Sequence, residues 1–140
     1  MKIEVRSLFL STVVFLITIL LSACGQISAK DPLNKTAWSL SAIDETPSMK
    51  GTKVTVDFSD GQISGSAGCN SYGGSYKIKG EKITISSLVM TMMACQDTGV
   101  MEQEQTFIQY LQDAQTFKVN GEQLQIFSSD DKVLVFIPQK

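Results

Sequence analysis

Three cysteines, a knot of methionines and a few isolated carboxylates are the side chains of this 140-residue chain whose chemistry could carry a function. Histidine is absent. The makings of a Ser-His-Asp or Cys-His arrangement, of an HExxH zinc site, and of a general base titrating near neutrality are therefore missing. Cys24, Cys69 and Cys95 contain no Cys-x-x-Cys spacing, the usual frame for dithiol redox chemistry. Two domain cysteines without histidine also fall short of the ordinary zinc ligand sets. Met90, Met92, Met93 and Cys95 offer the soft sulfur that suits Cu(I). In a strand, however, Met90 and Met92 point to one face while Met93 and Cys95 point to the other. Flexible core filling is the expectation for these methionines, with no metal and no cofactor.

Glu104 falls on the apolar side of a helical pattern, one turn from Met101 and Ile108, where an unpaired charge is costly. Two roles fit it: a binding or proton-accepting group in a cleft, or a helix-to-sheet latch that accepts hydrogen bonds from donors near the Asn70 to Tyr72 turn. The latch is expected. Asn70 can stabilise a tight turn without any ligand. Tyr72 and Tyr76 share a strand face with Ile78 and read as packing, although paired aromatics also serve interfaces. No GxSxG or SxxK frame and no recognisable acid pair occurs, so no catalytic residue is assigned and no enzymatic activity is expected. With 12 basic and 14 acidic residues, net −2, the chain lacks the single-sign field that draws nucleic-acid phosphates.

The elements that position these residues begin with an export signal. Lys2 and Arg6 precede Leu8 to Leu21, a run broken only by Ser11, Thr12 and Thr18 and shorter than the ~20 apolar residues a spanning helix needs. It ends in Leu21-Ser22-Ala23-Cys24, which resembles the bacterial lipobox. That resemblance implies a lipoprotein signal peptide over 1–23, a diacylglycerol thioether on Cys24, and a mature chain beginning there. An ordinary secretory signal cut near Ala23 and an uncleaved short anchor are the competing readings. Residues 24–34, rich in small and polar types and containing Pro32, read as the lipidated N-terminus and a tether. Two acyl chains anchor stably where one is marginal, so the lipid on Cys24 would carry membrane binding and place the protein extracytoplasmically in the cell envelope.

Residues 35–138 read as one domain. Trp38, Leu40 and Ala42 alternate with Ser39 and Ser41, and Val54, Val56 and Phe58 alternate up to Asp60-Gly61, a hairpin signal. Tyr76 to Ile85 and Phe117 to Ile126 echo each other as hairpins turning at Gly80 and Gly121. Val133 to Ile137 is continuously apolar, which suits a strand covered on both faces. Between these strands the apolar residues recur with helical spacing, predicting one main helix over about 98–115 with Asp97 as its cap. The fold class is α+β: a strongly bent antiparallel sheet or cracked β-barrel with that helix.

Gly68-Cys69-Asn70-Ser71-Tyr72-Gly73-Gly74, Met90-x-x-Met93-Ala94-Cys95 and Met101-x-x-Glu104-x-x-Phe107 resemble the signature blocks of the META domain, the HslJ-type family. Leu33-x-x-Thr36-x-Trp38-x-Leu40 resembles the way such domains open, and the resemblance spans 33–137. Where the family often carries arginine before the second cysteine, this chain has Met92, so no role for that cation is carried over. The resemblance implies a cracked antiparallel barrel with a helix, implies no enzymatic activity, and associates the chain with envelope proteins linked to stress. In an oxidising exported compartment Cys69 and Cys95 are expected to pair, leaving Cys24 for lipid. The functional expectation is a non-enzymatic, lipid-anchored envelope module that binds a partner protein or helps maintain envelope components under stress. The alternative is a carrier of a small apolar ligand or lipid in the cleft between sheet and helix.

Overall fold

A computed structural model describes residues 30–140; the expected signal peptide and Cys24 lie outside the described residues. Among the described residues, nine strands, one α-helix and a short 3-10 turn at Ser129–Asp131 follow the expected order of strands, helix, strands. The strands and the α-helix are β1 (Thr36–Ile43), β2 (Thr46–Pro47), β3 (Thr55–Ser59), β4 (Gln62–Ser66), β5 (Ser71–Lys79), β6 (Lys82–Met90), α1 (Val100–Gln112), β7 (Ala114–Asn120), β8 (Gln123–Ser128) and β9 (Val133–Pro138). Neighbours from β3 to β9 pair antiparallel in sequence order, and β1 pairs with both β3 and β9. Eight strands therefore close into a barrel, with β2 appended to β1. The expected α+β arrangement of a bent antiparallel sheet or barrel with one main helix is found, and the barrel is closed where a cracked one was expected. Closure joins the first strand to the last, from Trp38 opposite Pro138 to Ile43 opposite Leu134, and so removes both sheet edges. One seam is narrow: β6 and β7 share the single pair Lys82 and Thr116, and the chain between them carries a loop and α1.

Tight turns keep the strands in register. Asp60 and Gly61 both have positive φ, 50° and 79°, the geometry that a two-residue hairpin with matching twist requires. At Gly65 the reason for glycine is different, since a Cβ would run into the Thr55 carbonyl on the neighbouring strand. The antiparallel order puts the Gly61, Gly80 and Gly121 turns at one end of the barrel together with the entering N-terminal segment. The other end holds α1 and the turn between β4 and β5.

Alternation fills the barrel. Val56, Phe58, Ile63, Ile83, Leu124, Ile126, Leu134 and Phe136 are each at most 2% exposed. Phe107 descends from α1 between Tyr72 and Phe136, with ring centroids 5.7 and 6.3 Å away and both contacts edge-on. Truncating a phenylalanine in such a site to alanine costs about 3–5 kcal/mol, through lost transfer energy and the cavity left behind.

Four expectations are corrected. The helix spans Val100–Gln112, not 98–115, because Ala114 is already paired with Ser128 in β7. Gly99, with φ 86°, occupies the cap position, and Asp97 contributes only its backbone carbonyl, to the Val100 amide. β9 is not covered on both faces: Leu134 and Phe136 are buried but Ile137 is 47% exposed, as the outer wall of a barrel faces solvent. Finally, residues 31–34 of the segment expected as tether belong to the folded domain. Leu33 is fully buried, the Asp31 carboxylate accepts from the Leu33 amide at 2.9 Å, and the Tyr76 hydroxyl donates to it at 2.6 Å.

Burial, then the bond to Asp31 and its charge, raise the Tyr76 phenol above its ordinary value of 10.0; burial likewise raises Tyr72. The unfolded chain gives up these protons near pH 10 while the folded chain holds them, so their contribution is intact below pH 10 and is lost as pH climbs beyond it. Tyr76→Phe should lower stability at pH 7 by about 1 kcal/mol through loss of the Asp31 bond, yet lose stability less steeply above pH 10. Urea unfolding followed from pH 7 to about pH 11 checks both signs.

Candidate functional site

The helix end of the barrel brings Asn70 and Glu104 into direct contact. Val100, Glu104, Phe107, Ile108 and Leu111 form the buried face of α1, so a carboxylate is carried into the interior by the spacing that buries its apolar neighbours. Glu104 is 3% exposed. Its Oε2 accepts from the Asn70 amide at 2.6 Å and from the Cys69 amide at 3.1 Å, and its Oε1 accepts from Asn70 Nδ2 at 2.7 Å. Charge-assisted bonds of this kind are what make a buried carboxylate tolerable.

Asn70 passes the attachment onward. Its Oδ1 accepts from the Met93 amide at 2.7 Å and from Thr91 Oγ1 at 2.8 Å, while Nδ2 also donates to the Met93 carbonyl at 3.1 Å. Both acceptor and donor capacities of the amide are thus used, and only one orientation satisfies the Met93 amide and the Glu104 carboxylate together. Thr91 Oγ1 in turn accepts from the Ser71 amide at 3.1 Å. The Cys69–Cys95 disulfide, with Cα atoms 5.9 Å apart, fastens the same turn to the far end of the methionine loop. In the chain-entropy account, closing a loop of this length is worth about 3.5 kcal/mol.

Two further side chains of α1 fasten it elsewhere. Gln103 Oε1 accepts from the Met49 amide at 2.7 Å and its Nε2 donates to Thr52 Oγ1 at 3.1 Å. The Tyr110 hydroxyl donates to Asp44 Oδ2 at 3.1 Å, and Asp44 Oδ1 accepts from the Val133 amide at 2.9 Å. Lys132 lies 3.8 Å from Asp44. Sequence reasoning missed Gln103, Thr91 and the Asp44–Tyr110 pair. Asp44 held the best signal, an aspartate ending an alternating strand, and its φ of 51° is a turn geometry. Tyr72 stands beside the latch, not within it: its ring packs on Phe107 and its hydroxyl donates to the Thr55 carbonyl at 2.8 Å.

The methionines are the largest correction. β6 ends at Met90, and residues 91–96 have no regular structure, so the two-face argument no longer applies beyond that point. Core filling holds for Met90, which is partly buried against the core, and is overturned for Met92 and Met93. Met92 is 98% exposed and Met93 57%, because Asn70 holds the backbone of Met93 and turns the loop outward. Met101 and Val89 are also exposed. Two open depressions adjoin there, both lined by Met90, Met101 and Glu104: one of about 540 Å³ along α1 with Glu102, and one of about 450 Å³ along the loop with Met92 and Met93. Among the described residues, no three His, Cys, Asp or Glu side chains gather as a metal site.

An eight-stranded antiparallel barrel, closed end to end and capped by one helix latched to a disulfide-bound turn, defines the class of protein. The family model of the META domain matches residues 31–140, and the chain belongs to that family. The NMR structure of a protein from Burkholderia xenovorans is similar at 25% identity and TM-score 0.65, covering 84% of this chain and 97% of that one. A second NMR structure is similar at 23% identity and TM-score 0.64, covering 76% of this chain and 91% of that one. The crystal structure of a DUF4847 family protein from Bacteroides vulgatus ATCC 8482 shares the fold at 14% identity and TM-score 0.53, covering 78% of this chain and 97% of that one. No curated protein matches the chain.

Glu104→Gln would turn an NH₂ group toward backbone N–H donors or toward the Asn70 amide, leaving a buried donor unmatched. It should lower unfolding stability by about 1–3 kcal/mol, read as a fall in the urea midpoint, while the disulfide remains closed to alkylation without reductant.

Proposed function

We propose that this META domain is a non-enzymatic, lipid-anchored module of the cell envelope that binds a partner protein on its methionine-bearing end. The observation that carries the reading is the exposure of Met92 and Met93 on a loop whose backbone is held by Asn70 and the disulfide. Exposed large apolar side chains beside a shallow depression are a feature of docking surfaces, and methionine adapts to varied partners. Both Glu104 oxygens are engaged by the domain's own donors, which supports a structural role for it rather than chemistry on a substrate. The N-terminal segment enters at the opposite end of the barrel, so a lipid on Cys24 would leave the methionine end facing away from the membrane.

The carrier reading has less support. Phe58, Phe107 and Phe136 fill the barrel, and the depressions beside α1 open at the surface.

Cys24→Ser should abolish metabolic labelling with palmitate and release the chain from the membrane fraction. A photo-crosslinking amino acid at position 92 should give a discrete protein adduct in intact cells, while the same group at Val119, exposed at the opposite end, should not. Equal labelling from both positions, or a lipid found bound by native mass spectrometry, would count against the docking reading.

A further inference from the structure

The methionine end carries a charge pattern that narrows what can dock there. Between Lys82 and Lys118 the chain contains no lysine or arginine, yet it contains Asp97, Glu102, Glu104 and Asp113. That stretch comprises β6 beyond its first residue, the methionine loop, α1 and the start of β7. Glu102 and Glu104 line the depression along α1, and neither depression is lined by a cation. Glu104 is held by backbone and amide N–H groups, so no neighbouring positive charge cancels it. Lysines are more numerous at the other end, where Lys77, Lys79 and Lys82 flank the Gly80 turn and Lys118 lies near Pro32, while Lys50, Lys53 and Lys132 sit in the turns at the helix end, Lys132 beside Asp44. β6, running from Lys82 to Met90, separates the two ends by about 26 Å at the usual strand rise. The helix end is therefore the more acidic of the two, and its two depressions are lined by carboxylate and not by lysine.

Resting on the docking reading above, we infer that the occupant of this face is a basic, apolar polypeptide segment: large aliphatic or aromatic side chains seated against Met90, Met92, Met93 and Met101, with lysine or arginine beside Glu102 and Asp97. Apolar contact would supply most of the affinity, and the carboxylates would select against acidic competitors by like-charge repulsion. The face suits such a segment because its apolar side chains are flexible and its charges are of one sign.

The test uses the full-length chain in a nonionic detergent, applied to immobilised peptides of matched aliphatic and aromatic content that carry either lysine or glutamate at every polar position. Retention should favour the lysine set by about tenfold, the size expected where rim charges set specificity. Raising ionic strength to about 1 M, where the Debye length is about 3 Å, should shrink that preference. The double variant Asp97→Lys with Glu102→Lys, both at exposed positions, should reverse it while the domain stays folded, with a melting temperature lowered slightly by the loss of acid at the start of α1. Met92→Asp, at a side chain that is 98% exposed, should weaken retention on the lysine set without unfolding the domain. Equal retention of both sets that still depends on Met92 would overturn the charge inference and leave the docking surface standing. Retention of neither set, or retention indifferent to Met92, would overturn both.

Discussion

A carboxylate carried into the interior of a small barrel has to be met by donors, and that demand organises the whole helix end of this domain. Glu104 enters because α1 must bury Val100, Phe107, Ile108 and Leu111, and the remaining member of that face is an acid. Removing a charge from water without compensation costs several kcal/mol. The turn between β4 and β5 supplies compensation by aiming two successive amides and the Asn70 side chain at the two oxygens. Asn70 then has one carbonyl oxygen and one N–H left, and both go to the methionine loop. One buried charge thereby sets the position of a helix, a turn and a loop that are distant in sequence. The disulfide fastens the same turn and loop covalently.

The rest of the barrel makes this arrangement affordable. Closure through β1 and β9 leaves the first and last strands of the barrel paired on both sides, and edge-on aromatic contacts from Phe107 to Tyr72 and Phe136 tie the helix into the core. The narrow β6–β7 seam is where the chain leaves the sheet to form the loop and the helix. Gln103 and Tyr110 fasten α1 to the segments that follow β1, so the helix is held on two further sides. The methionine loop thus combines a fixed backbone with free side chains. An adaptable docking surface benefits from both, since fixed backbone limits the ordering entropy lost on binding while methionine side chains adjust.

Much of this was legible in the residues, and the failures have physical causes. Period-two alternation marked β1, β3 and the hairpins at Gly80 and Gly121, since half-buried strands leave that trace locally. The pairing of β1 with β9 left no trace, because it joins the two ends of the domain and alternation does not name partners. Val133 to Ile137 looked fully covered because apolar residues can face solvent on a barrel wall; Ile137 does. Glu104 could be singled out as a polar residue on an apolar helix face, whereas Gln103 and Tyr110 were ordinary members of an amphipathic pattern. The methionines were misread because they were assumed to continue β6, and the hydrogen bonds that turn the loop outward come from Asn70, twenty or more residues earlier.

The central claim is that the latch is part of the cooperative fold and not a surface contact. Native-state hydrogen exchange of the Cys69 and Asn70 amides, the two that donate to Glu104, tests it most directly. The account predicts that both exchange only through global unfolding, with the same free energy and urea dependence as core amides of β5 such as that of Tyr76. Rapid exchange of Cys69 and Asn70 through a local opening, while Tyr76 stays protected, would contradict it.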